Sequence, residues 1–224
     1  NEKGEFFDKA TGEEVLRIAE AEDFNFAEVM EIGKITNKDY TNYHIQQVLK
    51  LKLVDVDAIR KARFSVMIDC VNSVGGLVIP ALLEALGVKR IFQLNCTANG
   101  HFAHNPEPIP ANLTQISEAI PKSKVDVGFV VDPDVDRLAV ICENGQMFGE
   151  EYTLVSCADY VLQHTPGNTS SNLSSSRALR DVTRARGGHY EAAAVGEVNV
   201  VTKMKDINAV IGGEGNGGVI YPEA

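Results

Sequence analysis

At 224 residues, 44% of them hydrophobic, the chain is long enough for two packed domains of about 100–150 residues each. Its 31 acidic and 21 basic residues give a net charge of −10, which argues against nucleic acid or an anionic membrane as partner but leaves a local phosphate site open. No apolar run approaches the roughly 20 residues of a membrane span, and no basic start followed by an apolar stretch marks a secretory leader.

Residues 1–35 are acidic and mostly polar, and read as a linker or the remnant of a first domain. The opening Asn1-Glu2-Lys3-Gly4-Glu5 resembles the interior of a longer protein. Thr11 followed by Glu14 is a capping-box pattern that predicts a helix to about Ala21. A second helix is expected over 40–51, and a short third from Asp55 or Asp57.

Strands and helices then alternate. Residues 64–70 read as a strand, 77–86 as an apolar helix closed by Gly87, and 91–94 as a second strand. A Pro-rich loop leads to a helix capped by Asn112 and stopped by Pro121. Residues 125–131 are apolar enough for a strand buried on both faces. Residues 138–142 form a fourth strand, and Asn144-Gly145 is a hairpin turn signal. A similar order recurs: helix 152–163, polar loop 165–172, a helix capped by Ser175 or Ser176, strand 190–195, helix 197–204, strand 207–211, and a last strand at 219–221. The fold class is α/β, with two related three-layer α/β domains whose sheets are mixed and mainly parallel. The expected domains are 36–146 and 147–224, the second cut short at its C-terminal end. Cys70, Cys96, Cys142 and Cys157 are scattered without metal-like spacing, which points to a reducing, cytoplasmic compartment.

Two loops carry chemistry. Asp132, Asp134 and Asp136 occupy alternate positions after a buried strand, so an extended segment would aim all three carboxylates to one side. Their mutual repulsion calls for a cation, and an oxygen-only set suits Mg²⁺ or Ca²⁺. Arg137 adds a fixed positive charge able to grip a phosphate. An EF-hand counted from Asp132 would place Glu143 correctly, but Arg137 stands where its glycine is needed. The second loop runs from Gly212 to Gly218. Gly213, Gly215 and Gly218 satisfy GxGxxG, but an apolar strand rather than a helix follows, against a dinucleotide site. Among glycines that admit a ligand closely, Glu214 and Asn216 can accept from and donate to sugar hydroxyls.

Together the loops resemble those of the α-D-phosphohexomutase superfamily, which includes phosphoglucomutase, phosphomannomutase and phosphoglucosamine mutase. The Asp132–Arg137 run is similar to the family's Asp-Gly-Asp-Gly/Ala-Asp-Arg metal loop, and Gly213–Gly217 to its Gly-Glu-x-Ser/Asn-Gly sugar loop. Residues 99–113, Ser174–Leu179 and Ala194-Val195-Gly196 resemble further landmarks of the family's second and third domains. The resemblance implies Mg²⁺ held by Asp132, Asp134 and Asp136, a phosphate contacted by Arg137, and a sugar bound by Gly213, Glu214, Gly215 and Asn216. It implies an isomerase that interconverts hexose 1-phosphate and 6-phosphate through a phosphoserine and a hexose bisphosphate intermediate.

The family's Ser-His-Asn-Pro phosphoserine motif is absent from these residues: His104-Asn105-Pro106 follows Ala103, not serine. No catalytic nucleophile is therefore assigned, and this stretch alone is expected to be inactive. Glu197 stands where some members carry a basic residue or Asp. Asn216 and Gly218 stand where many carry Ser and His, so the preferred sugar stays open. The alternatives are a metal-dependent phosphatase or phosphotransferase, or a non-catalytic Ca²⁺- or sugar-binding module.

Overall fold

The computed structural model describes residues 1–2 and 4–224; Lys3 lies outside the described residues. They divide into two units, Asn1–Tyr40 and Thr41–Ala224.

The first unit contains helix α1 (Lys9–Glu20) and a 3-10 turn at Val29–Glu31. Asp8, not Thr11, caps α1: its Oδ1 accepts the Thr11 N–H at 2.8 Å. Glu14 is not part of a capping box, because its carboxylate pairs with Arg17 at 2.7 Å. None of the described residues in this unit is buried.

The second unit opens with α2 (Thr41–Val48) and α3 (Val56–Ala62), the latter capped by the Asp55 side chain on Ala58 N–H. Strands β1 (Ser65–Asp69), β2 (Arg90–Leu94), β3 (Val127–Val131) and β4 (Leu138–Cys142) form a sheet in the order β2-β1-β3-β4. The first three run parallel and β4 returns antiparallel. Helix α4 (Gly75–Ala85) covers one face, where Val66, Ile68 and Val131 meet Leu83. Helix α5 (Thr114–Ser123) covers the other, where Met67 and Val130 meet Ile116 and Ile120. Successive strand residues thus enter opposite cores, which explains why β1 is buried at every position.

Helix α5 continues through Pro121 to Ser123, past the expected stop at residue 120. The proline costs one bond in the last turn, and Lys124 closes the helix in a left-handed conformation. Asn112 does not cap it, since its amide donates to the Glu107 carbonyl instead.

The second sheet repeats the first. Strands β5 (Asn168–Asn172), β6 (Tyr190–Ala193), β7 (Ala209–Gly213) and β8 (Val219–Ile220) lie in the order β6-β5-β7-β8, again with the last antiparallel. Helices α6 (Glu150–His164), α7 (Ala178–Ala185) and α8 (Glu197–Asp206) accompany it.

Its central strand β5 is the main departure from expectation, because Asn168–Asn172 read as a polar loop. Thr169, Ser170, Ser171 and Asn172 are nevertheless buried. Three of the four side chains find partners inside: Thr169 with Thr183 at 2.6 Å, Ser171 with the Tyr190 hydroxyl at 3.0 Å, Asn172 with Glu214; the Ser170 hydroxyl is buried without one. Bonded polar groups can be buried at little cost, so tertiary partners replace the apolar pattern that ordinarily marks a central strand. Among the described residues, no helix is long and apolar enough to cross a membrane.

Candidate functional site

Both chemistry-bearing loops occupy the same place in their sheets. The Asp132–Arg137 run joins β3 to β4, and Glu214–Gly218 joins β7 to β8. In each, the acidic residue comes directly after the last parallel strand, at the carboxyl edge where open α/β sheets bind ligands.

Asp132 is fully buried, while Asp134 and Asp136 are exposed. One carboxylate oxygen from each lies within 4.8 Å of the others. The convergence is not the strand-like alternation expected from the spacing. The chain turns: Val135 N–H donates to the Asp132 carbonyl at 3.2 Å, and Val135 adopts φ +67°. A β-branched residue in that region is strained. Three oxygen donors gathered on one turn fit a small, hard divalent cation such as Mg²⁺.

Arg137 closes the loop. Its Nε donates to Asp132 Oδ2 at 2.7 Å, its backbone N–H donates to Oδ1 at 3.2 Å, and Asp136 lies 3.6 Å from Nε. Burial, the shared hydrogen bond with Asp132, and the neighbouring charges push the Asp136 carboxyl up to about 6. Burial also raises Asp132, but the Arg137 guanidinium and the Asp136 hydrogen bond outweigh it and hold that carboxyl below its ordinary range.

The glycine loop is ordered by Glu214. Its Oε1 accepts from Asn172 Nδ2 at 2.5 Å and from Gly196 N–H at 3.2 Å, and its Oε2 from Asn216 Nδ2 at 3.3 Å. Gly215 N–H donates to Ser175 Oγ at 2.9 Å, and Gly218 N–H to Asn216 Oδ1 at 3.1 Å. The ends of β5, β6 and β7 are thereby tied to one carboxylate.

The two loops meet. Arg137 and Gly218 form an antiparallel bridge, and Leu138 N–H donates to the Gly217 carbonyl at 3.2 Å. Between them opens a cavity of about 210 Å³ lined by Asp136, Arg137, Glu197, Gly213, Glu214 and Asn216, among others. Asp132, Asp134 and Gly215 belong to the same loops but do not line it. Glu197 had no role assigned from the sequence. Its signal in the sequence was its departure from the basic residue or Asp that some phosphohexomutases carry after the glycine; it opens α8. Burial, with the nearby Glu214 charge, pushes its carboxyl up. Ser175, expected as a helix cap, instead holds the glycine loop, and Asn172 fell within the expected polar loop.

The model for the phosphoglucomutase/phosphomannomutase alpha/beta/alpha domain II matches residues 38–145, and that for domain III matches 149–224. The chain belongs to the phosphoglucomutase/phosphomannomutase family. It is 36% identical over 205 residues to the phosphoglucomutase/phosphomannomutase of Thermococcus kodakarensis, a match covering 91% of this chain and 44% of that protein. It is 30% identical over 196 residues to the probable phosphoglucosamine mutase of Methanopyrus kandleri, covering 86% of this chain and 42% of the relative. A crystal structure of a family member from Burkholderia thailandensis superposes with a TM-score of 0.81 at 25% identity, over 97% of this chain and 46% of that one. The chain therefore spans about half the length of the family members it matches.

Proposed function

We propose that these residues are the metal- and sugar-binding middle of a Mg²⁺-dependent hexose-phosphate mutase, which interconverts the 1- and 6-phosphates of a hexose. The carrying observation is that a three-carboxylate loop and a Glu–Asn loop, from equivalent places in two like sheets, meet at one cavity.

Asp132, Asp134 and Asp136 would hold Mg²⁺, which when bound offsets the negative charge of a transferring phosphoryl group. Arg137 supplies a charge that needs no proton bookkeeping and lines the cavity, where it would hold a phosphate. Glu214 accepts hydrogen bonds from sugar hydroxyls, and Asn216 can accept or donate. Because a carboxylate and an amide read hydroxyls without demanding one orientation, the same pair can receive the sugar with either phosphate end first. That is what a bisphosphate intermediate requires. The phosphoserine comes from outside these 224 residues. The four free thiols fit a reducing, cytoplasmic setting.

The test uses the whole protein and the 224-residue chain side by side, in a coupled assay converting hexose 1-phosphate to 6-phosphate. The whole protein should turn over, lose activity with EDTA and recover with Mg²⁺. The 224-residue chain should stay at background. Turnover by that chain alone would place a phosphoryl donor inside it and overturn this scheme.

A further inference from the structure

Ser73 lies in the turn between β1 and α4, at the carboxyl edge of the first sheet. It neither lines the cavity nor bonds to a carboxylate. Its hydroxyl donates a 2.6 Å hydrogen bond to the carbonyl of Pro133, the residue between the first two aspartates of the metal loop. We infer, on the basis of the metal assignment above, that Ser73 is a positioning residue of the cation site: its hydroxyl holds the loop in the turn that gathers the three carboxylates.

The loop needs such a tether. Three carboxylates within 4.8 Å repel one another, and with no cation between them the loop would tend to spread. Val135 at φ +67° adds backbone strain, which persists only where surrounding contacts over-determine it. The loop's own backbone supplies one bond of 3.2 Å, from Val135 N–H to the Asp132 carbonyl. Its far end is fastened to the second sheet through Arg137 and Leu138. At its near end, Pro133 has no N–H to offer, so its carbonyl is its one backbone handle. Ser73 takes that handle.

The anchor is itself rigid. Val71 and Asn72 both take left-handed conformations, at φ +48° and +56°. Val71 is fully buried and its N–H donates to Asp69, itself 1% exposed. Asn72 N–H donates to the Asn95 carbonyl at 2.6 Å, and its side chain joins Thr97 and His101. Ser73 N–H donates to the Cys70 carbonyl at 2.8 Å. The hydroxyl that meets Pro133 is therefore fixed by the core of the first sheet. Fixing a loop before its ligand arrives raises affinity, because the ordering cost has already been met.

The experiment titrates Mn²⁺, as a paramagnetic stand-in for Mg²⁺, into the 224-residue chain and three variants, with electron paramagnetic resonance reporting free ion. Ser73→Ala should weaken binding about three- to tenfold, the net worth of one hydrogen bond. Ser73→Thr, which keeps the hydroxyl, should bind like the parent, and Asp134→Ala should lose the site. Thermal melts of the serine variants should stay within about 4 °C of the parent. Should Ser73→Ala not fold, Ser73→Cys, near in size and a weak donor, takes its place with the same expectation. If Ser73→Ala binds like the parent while Asp134→Ala does not bind, the role of Ser73 is overturned and the metal assignment stands. Equal weakening by Ser73→Thr also overturns the hydroxyl's role. If Asp134→Ala binds unchanged, or the parent binds no Mn²⁺, the metal assignment falls and the inference with it.

Discussion

Glu214 faces the cavity and at the same time accepts hydrogen bonds from Asn172, Gly196 and Asn216. From the sequence it reads as an exposed loop side chain whose loss would leave stability untouched. The structure changes that expectation, because Asn172 is buried and its amide would lose its acceptor. Leaving a buried donor unpaired costs about 1–3 kcal/mol. Glu214→Ala should therefore lower the thermal midpoint by roughly 3–10 °C. In the whole enzyme it should also lower kcat/KM about tenfold to a hundredfold or more. Glu214→Gln separates the two effects. Its amide oxygen can keep the Asn172 bond and so most of the stability, while its altered donor pattern still impairs sugar binding. Calorimetric melts and mutase kinetics on the same preparations check both. Unimpaired kinetics in both variants would leave Glu214 a structural residue.

The β3–β4 and β7–β8 connections are the elements that bring the site together, and Gly217 is where they touch. It adopts φ +94°, and a Cβ there would lie 2.5 Å from the Leu138 carbonyl oxygen. Gly217→Ala therefore meets both backbone strain and a clash with backbone that cannot swing aside. It should destabilise the chain by about 2–4 kcal/mol, read as a lower denaturant midpoint at unchanged slope. Mn²⁺ affinity should fall as well if the metal proposal holds, since Arg137 and Leu138, at the end of the Asp132–Arg137 loop, share this seam. A neutral Gly217→Ala would show that the loops are not coupled there. The two connections were unequally legible. Asp132–Arg137 follows an apolar strand and announces itself by three alternate aspartates. The place of Glu214 was visible as a glycine run, but its partners in β5 and after β6 were not, because they are distant in sequence.

Across the whole molecule, the buried residues begin at Ile45, and none of the described residues of 1–40 is buried. A chain starting at Thr41 should therefore keep its thermal midpoint within about 3 °C and bind Mn²⁺ as the full 224 residues do. A collapse of the melt would show that residues 1–40 contribute to the core.

The alternation of strands and helices and the hairpin turn at Asn144-Gly145 could be read from residue order, because each rests on local periodicity or turn chemistry. Helix α5 running past Pro121, the strand nature of Asn168–Asn172 and the turn that gathers the aspartates could not. A polar segment becomes a central strand only if Thr183, Tyr190 and Glu214 arrive from elsewhere to bond it. The strained turn of the Asp132–Arg137 loop receives a hydrogen bond from the Ser73 hydroxyl, 60 residues from Pro133 in the chain. Local preferences decide what a segment favours when alone. Partners brought together by packing decide which disfavoured conformations and buried polar groups the fold can hold, and the candidate site is built from these.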